Sequence, residues 1–153
     1  MRKFVLCLFC ALLIAPVALA QTSDPNNAPA ALPPVISDGL TLYKTHAPDA
    51  VITAWTQGGP LEGNKDAYAQ AGLMYQVQNL YGVYQGYEVV VSQTLSQRTE
   101  VFYLVMHYEK GPLFAKFVVY KTRTGWVVTS FNLSKEDTIL PQPDMMPPPQ
   151  ANQ

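Results

Sequence analysis

The stretch Gly86–Leu133 reads GYEVVVSQTLSQRTEVFYLVMHYEKGPLFAKFVVYKTRTGWVVTSFNL. It divides into four runs rich in β-branched and aromatic residues: Gly86–Leu95, Arg98–Glu109, Pro112–Thr122 and Trp126–Leu133. Such side chains suit a pleated, half-buried surface. Turn residues separate the runs: Ser96-Gln97, then Lys110-Gly111, then Arg123-Thr124-Gly125. Connections this short join only antiparallel neighbours, because a parallel pair needs a long crossover. The expected sheet is a four-stranded antiparallel meander.

Register decides which side chains share a face. The Lys110-Gly111 turn is expected to set Tyr108 opposite Leu113. One face then carries Phe102, Leu104, Met106 and Tyr108 with Leu113, Ala115, Phe117 and Val119. Gly125 suits the left-handed position of a three-residue loop with a bulge. That adds Val127, Thr129, Phe131 and Leu133 to the same face, and Tyr87, Val89, Val91 and Gln93 join from the first run. This is the expected core face. The other carries Val101, Tyr103, Val105 and His107, then Phe114, Lys116, Val118 and Tyr120, then Trp126, Val128, Ser130 and Asn132. It is too apolar and aromatic for a simple wet surface, and such a patch implies a second burial partner. The candidate binding residues are Tyr103, His107, Phe114, Tyr120 and Trp126.

N-terminal to the sheet, Met1–Ala20 has the form of a secretory signal. Arg2 and Lys3 are basic, Phe4–Leu13 is apolar, and Ala18-Leu19-Ala20 fits a small-x-small cleavage site. The apolar segment falls short of the roughly 20 residues of a membrane span, and Pro16 breaks it. No stable membrane insertion is expected after processing near Ala20, and the expected location is periplasmic or secreted. Cys7 and Cys10 are the two cysteines, and both leave with the signal. The mature chain then has neither disulfide nor thiol chemistry. Loss of Arg2 and Lys3 takes the basic count from 10 to 8 against 11 acidic residues, a mature net charge of −3. With no basic stripe, nucleic acid is not an expected partner.

Residues 21–35, rich in Pro, Ala and Asn, read as a flexible leader, and residues 141–153 as a disordered Pro-rich tail. Between them, residues 36–140 form one domain large enough for a real core. Leu40, Tyr43, Ala47, Val51, Ala54 and Trp55 recur at helical spacing. Pro48 divides this region into helices near Ser37–Thr45 and Pro48–Gln57. Asn64 is the expected cap of a longer helix ending at Gly82, its apolar stripe Ala69, Leu73, Val77 and Leu80 beside Met74. Helices followed by a meander make an α+β class, N-terminal helices packed on a curved four-stranded antiparallel sheet.

This order of elements, with the strand entry Thr124-Gly125-Trp126-Val127-Val128, resembles the NTF2-like (cystatin-like) superfamily of cone-shaped domains. The block Tyr103–Leu133 is also similar to small exported bacterial proteins of unassigned activity. The resemblance implies several functions, because that superfamily includes isomerases, dehydratases and non-catalytic binding or scaffold domains, and fold does not select among them. Isomerase or dehydratase chemistry needs an acid or base facing a pocket, with an oxyanion donor. Glu100 is the carboxylate that this register puts on the core face, at the rim opposite Gln93, where a glutamate is ordinarily solvated. Tyr87 and Tyr108 are possible donors, though tyrosines there are commonly core bodies. Tyr68, Tyr75 and Tyr81 on the long helix are candidates for a pocket mouth.

His46 and His107 lack the clustered carboxylates or cysteines of a metal site. No catalytic residue, cofactor or metal is assigned. Three functions follow: a binding or scaffold domain, homodimeric through the outer sheet face; a pocket enzyme of the isomerase or dehydratase type; or an accessory subunit of a cell-envelope assembly. The partners in view are a second copy, a small apolar ligand or an envelope protein.

Overall fold

The computed structural model describes residues 31–141. The signal-like segment, most of the leader and nearly all of the Pro-rich tail lie outside the described residues. Three helices come first: α1 (Pro34–Leu42), α2 (Pro48–Thr56) and α3 (Lys65–Tyr81). Four strands follow, β1 (Tyr84–Ser96), β2 (Thr99–Tyr108), β3 (Pro112–Lys121) and β4 (Trp126–Ser134), then a 3-10 turn at Asp137–Ile139. The strands form one antiparallel sheet in the order β1-β2-β3-β4. The class is α+β, as the patterns above imply.

Proline starts both short helices, at the position where its missing N–H costs nothing. α1 therefore begins at Pro34, earlier than the expected Ser37 and inside the segment read as leader. It ends at Leu42, short of Thr45. The Asn64 side chain caps α3 by accepting from the N–H groups of Asp66 and Ala67 at 2.9 and 3.0 Å. Gly82, with φ +85°, ends it in a conformation that glycine tolerates best.

The buried face of α3 differs from the expected stripe. Ala67, Ala71, Met74 and Val77 are buried, whereas Ala69 faces solvent and Leu80 is 58% exposed. α3 packs on α2 and on β4.

Trp55 of α2 anchors the core. It is fully buried and stands edge-on to Phe117 and Phe131, with ring centroids 4.9 and 5.7 Å away. Its indole N–H donates to the Ile36 carbonyl at 3.2 Å. Gly39 of α1 sits so close that a Cβ there would overlap the indole Nε1 and Cδ1. Phe102, Leu104, Met106, Leu113, Ala115, Phe117 and Val119 are fully buried on the sheet side.

The register differs from the expected one in all three strand pairs. Met106, not Tyr108, lies opposite Leu113. Tyr108 instead closes the turn through its N–H to the Gly111 carbonyl at 3.1 Å. The shift is by two residues, so the faces of β2 and β3 hold. In β4 the bulge is at Thr129, not at Gly125: Val118 pairs with Ser130, and Val119 with Val128. Val128 is therefore fully buried with Val119, and Val127 moves to the outer face opposite Tyr120. In β1 the register shifts between Val89 and Val91. Val91 and Gln93, expected inside, pair with Tyr103 and Val101 on the outer face. Bulges bend their strand and add twist, and β1 carries three register shifts.

Candidate functional site

Two surfaces, and one cluster of tyrosines within the core, gather polar and aromatic groups. The first surface is the outer face of the sheet. Across it the rows run Glu88–Val105–Phe114–Ser134, Val91–Tyr103–Lys116–Asn132 and Gln93–Val101–Val118–Ser130. A further row joins Thr99, Tyr120 and Val127. Four of the five candidate residues, Tyr103, His107, Phe114 and Tyr120, share this face. Trp126 does not: it pairs with Lys121 and packs against the core cluster. The bulge at Thr129 is the reason, since it reverses the facing of everything before it in β4.

Tyr103 is on the face yet 8% exposed, and the Lys116 ammonium lies 5.5 Å from its ring centroid. Its ring is thus a support for the face more than a contact surface. Charge gathers at the ends. Glu88 Oε2 lies 3.8 Å from His107 Nε2 at one end, an ion pair when the imidazole is protonated. At the other, the Arg98 guanidinium lies 4.7 Å over the Tyr120 ring. Arg98 Nε also donates to the Lys121 carbonyl at 2.8 Å, which locks that ordering. Alternation signals the first end, since Glu88 lies between the inward Tyr87 and Val89 and so falls on the outer face. Arg98, expected to open the second run, instead lies in the turn before β2, so strand alternation gave no comparable signal for its contact.

The second surface is a pocket of about 270 Å³ between the start of α3 and β4, lined chiefly by Leu61, Asn64, Asp66, Gln70, Ser130 and Phe131. Gln70 Oε1 accepts from the Leu133 N–H at 3.3 Å. On the other side the loop after α2 abuts β4, where a Cβ on Gly59 would lie 2.9 Å from the Val128 carbonyl oxygen. None of the five candidate binding residues lines this pocket; along the sequence Asn64 reads as a helix cap, Phe131 as a core-face residue and Ser130 as an outer-face residue.

The buried cluster joins Tyr43 at the end of α1, Tyr84 at the start of β1 and Tyr108 at the end of β2. Their ring centroids lie 4.7 to 6.2 Å apart. Burial pushes the Tyr43 phenol up to about 12, against the opposing hydrogen bond from Tyr108. Burial, reinforced by neighbouring tyrosines, raises Tyr84 and Tyr108 further. These phenols stay protonated at physiological pH. Tyr87 faces the core side but is partly exposed, and Glu100 is half-buried at the rim opposite Thr94, not Gln93.

Among the described residues, no cluster of His, Cys, Asp and Glu is arranged to hold a metal ion. No described helix is long and apolar enough to cross a membrane.

No family model matches the chain, and no curated protein matches it. Among solved structures, it is similar to a domain of unknown function with a cystatin-like fold from Nostoc punctiforme PCC 73102. That similarity has a TM-score of 0.45 and 12% sequence identity, and covers 67% of this chain and 73% of the other.

Proposed function

We propose that this domain is a non-catalytic binding or scaffold module, exported to the periplasm or beyond, that pairs with a second copy of itself through the outer sheet face. One observation carries the reading. Val91, Val105, Phe114, Val118, Tyr120 and Val127 form an apolar strip across all four strands, on the side away from the helices. The inner side is already filled by fully buried side chains, so this strip is a second burial surface.

Its size suits a dimer. Four strands of nine residues or more, about 4.8 Å apart and about 3.3 Å per residue, make a face of roughly 570 Å² in plan. Side chains add accessible area to that figure, and a standard interface takes about 800 Å² from each partner. A two-fold pairing buries the same strip on both copies. Lys116 stands near the centre with its ammonium over the Tyr103 ring, a charge that such a pairing has to desolvate. The order of helices and meander, which resembles that of binding and scaffold members of the NTF2-like superfamily, fits the same reading. The signal-like pattern of Met1–Ala20 supports export.

Light scattering of the mature chain tests the dimer. The expected result is a dimer at micromolar concentration that Phe114→Glu converts to a monomer of unchanged helix content. A monomeric wild-type chain at the same concentration rejects the reading.

A further inference from the structure

β4 lies at one edge of the sheet. An edge strand offers unpaired N–H and C=O groups, which proteins commonly cover or blunt. The hydrogen bonds of β4 reveal which residues turn those groups outward. The Leu133 N–H donates to Gln70, so it points away from β3. Residues two apart on an antiparallel strand point the same way. The N–H and C=O of Phe131 therefore also face the free edge. At the hairpin end, the Thr122 N–H donates to the Gly125 carbonyl at 2.8 Å. That bond, by the same alternation, turns Trp126 and Val128 outward as well.

These outward positions are treated differently. The Val128 carbonyl is covered by the loop at Gly59. The Leu133 N–H is capped by Gln70. Phe131, between them, opens into the pocket that Asn64 and Asp66 face from α3. The Asn64 oxygen already serves the amides of Asp66 and Ala67, so the helix end is satisfied by its own cap. The backbone groups that alternation turns toward the pocket are those of the strand.

We propose that this pocket binds one residue of an extended peptide. The peptide carbonyl accepts from the Phe131 N–H, and the N–H of the same residue donates to the Phe131 carbonyl. A residue in extended conformation presents that donor and acceptor together, which is the chemistry of strand addition. The Gly59 loop and the Gln70 side chain limit the pairing to a single residue. The pocket volume of about 270 Å³ lies below the roughly 300–1,000 Å³ of sites for drug-sized ligands, as suits so short a segment.

The test is a titration of the isotope-labelled chain with N-acetylalanine N′-methylamide, followed by amide resonances. The expected result is a saturable shift at Phe131 and at the side-chain amides of Gln70 and Asn64. N,N-dimethylacetamide, which has no N–H, gives no saturable shift. Gln70→Ala frees the Leu133 N–H for a second pairing residue. N-acetyltrialanine N′-methylamide then binds the variant roughly fivefold tighter than wild type, the gain of one net hydrogen bond. No saturable shift at Phe131, an equal response to dimethylacetamide, or an unchanged affinity in the variant overturns the proposal.

Discussion

The Tyr108 hydroxyl donates to the Tyr43 hydroxyl across 3.0 Å, tying the end of β2 to the end of α1 inside the core. Tyr84 packs against both rings, yet its own buried hydroxyl has no hydrogen-bond partner among the described residues. Three phenols of one kind thus stand in two different states, and substitution separates them. Tyr108→Phe leaves the Tyr43 hydroxyl stranded and is expected to cost about 1–2 kcal/mol. Tyr84→Phe removes an unmatched polar atom and is expected to be neutral or stabilising by up to about 1 kcal/mol. Urea midpoints at unchanged slope measure both. A larger loss for Tyr84→Phe than for Tyr108→Phe contradicts this account.

The same cluster sets the alkaline limit of stability. A phenol whose folded pKa is raised keeps its proton in the native state after the unfolded chain has lost it. Unfolding is then favoured as pH rises. The stabilisation is complete below about 10, the unfolded value. It is lost as pH climbs towards the Tyr43 value of about 12. The slope is about 1.4 kcal/mol per pH unit for each tyrosine so held. Unfolding and tyrosinate absorbance, followed together, are expected to share one cooperative step for these three residues. Their ionisation in the still-folded chain near the ordinary pKa would refute the burial argument.

Two helical glycines are expected to respond in opposite senses. Alanine normally improves a helix interior by about 1 kcal/mol. At Gly72 of α3 an added Cβ meets nothing, so Gly72→Ala should stabilise by about 0.5–1 kcal/mol. At Gly39 it overlaps the indole of Trp55, which has no room to move in a filled core. Gly39→Ala should destabilise by about 1–3 kcal/mol. Thermal unfolding of both variants settles the pair, and equal effects would mean that the Trp55 pocket yields.

Lys116 gives the outer face its central charge. If two copies meet there, removing that charge should help, because a cation enclosed at an interface must be desolvated. Lys116→Met keeps most of the apolar stem and is expected to tighten the dimer about tenfold in a sedimentation titration, with monomer stability little changed. Weaker association in Lys116→Met would place the contact elsewhere.

Much of this arrangement was legible along the chain, and the misses have identifiable causes. Pro48 and Asn64 start their helices because ring geometry and a short polar side chain act within one turn. Gly125 attracted the bulge in β4 because glycine suits such turns, whereas the bulge is at Thr129. The apolar residues of β4 held a clue: Val128 and Phe131 are an odd number apart, so both can face inward only with one residue inserted. In β1 the run Val89-Val90-Val91 has no alternation and hides its register shift. On α3 a leucine-bearing stripe competed with an alanine-bearing one, and packing against α2 and β4 buried the alanine-bearing one.

The sequence by itself determined four antiparallel strands, their turns, the preceding helices and the faces of β2 and β3, because turn chemistry and side-chain alternation act over a few neighbouring residues. Tertiary structure alone decided where the strands bulge, which side of α3 is buried, and the meeting of Tyr43, Tyr84 and Tyr108. It also set Phe131 between two guarded positions of the β4 edge, Val128 beside the Gly59 loop and Leu133 capped by Gln70. Each of these depends on groups far apart in the chain competing for the same space, and no local pattern records that competition.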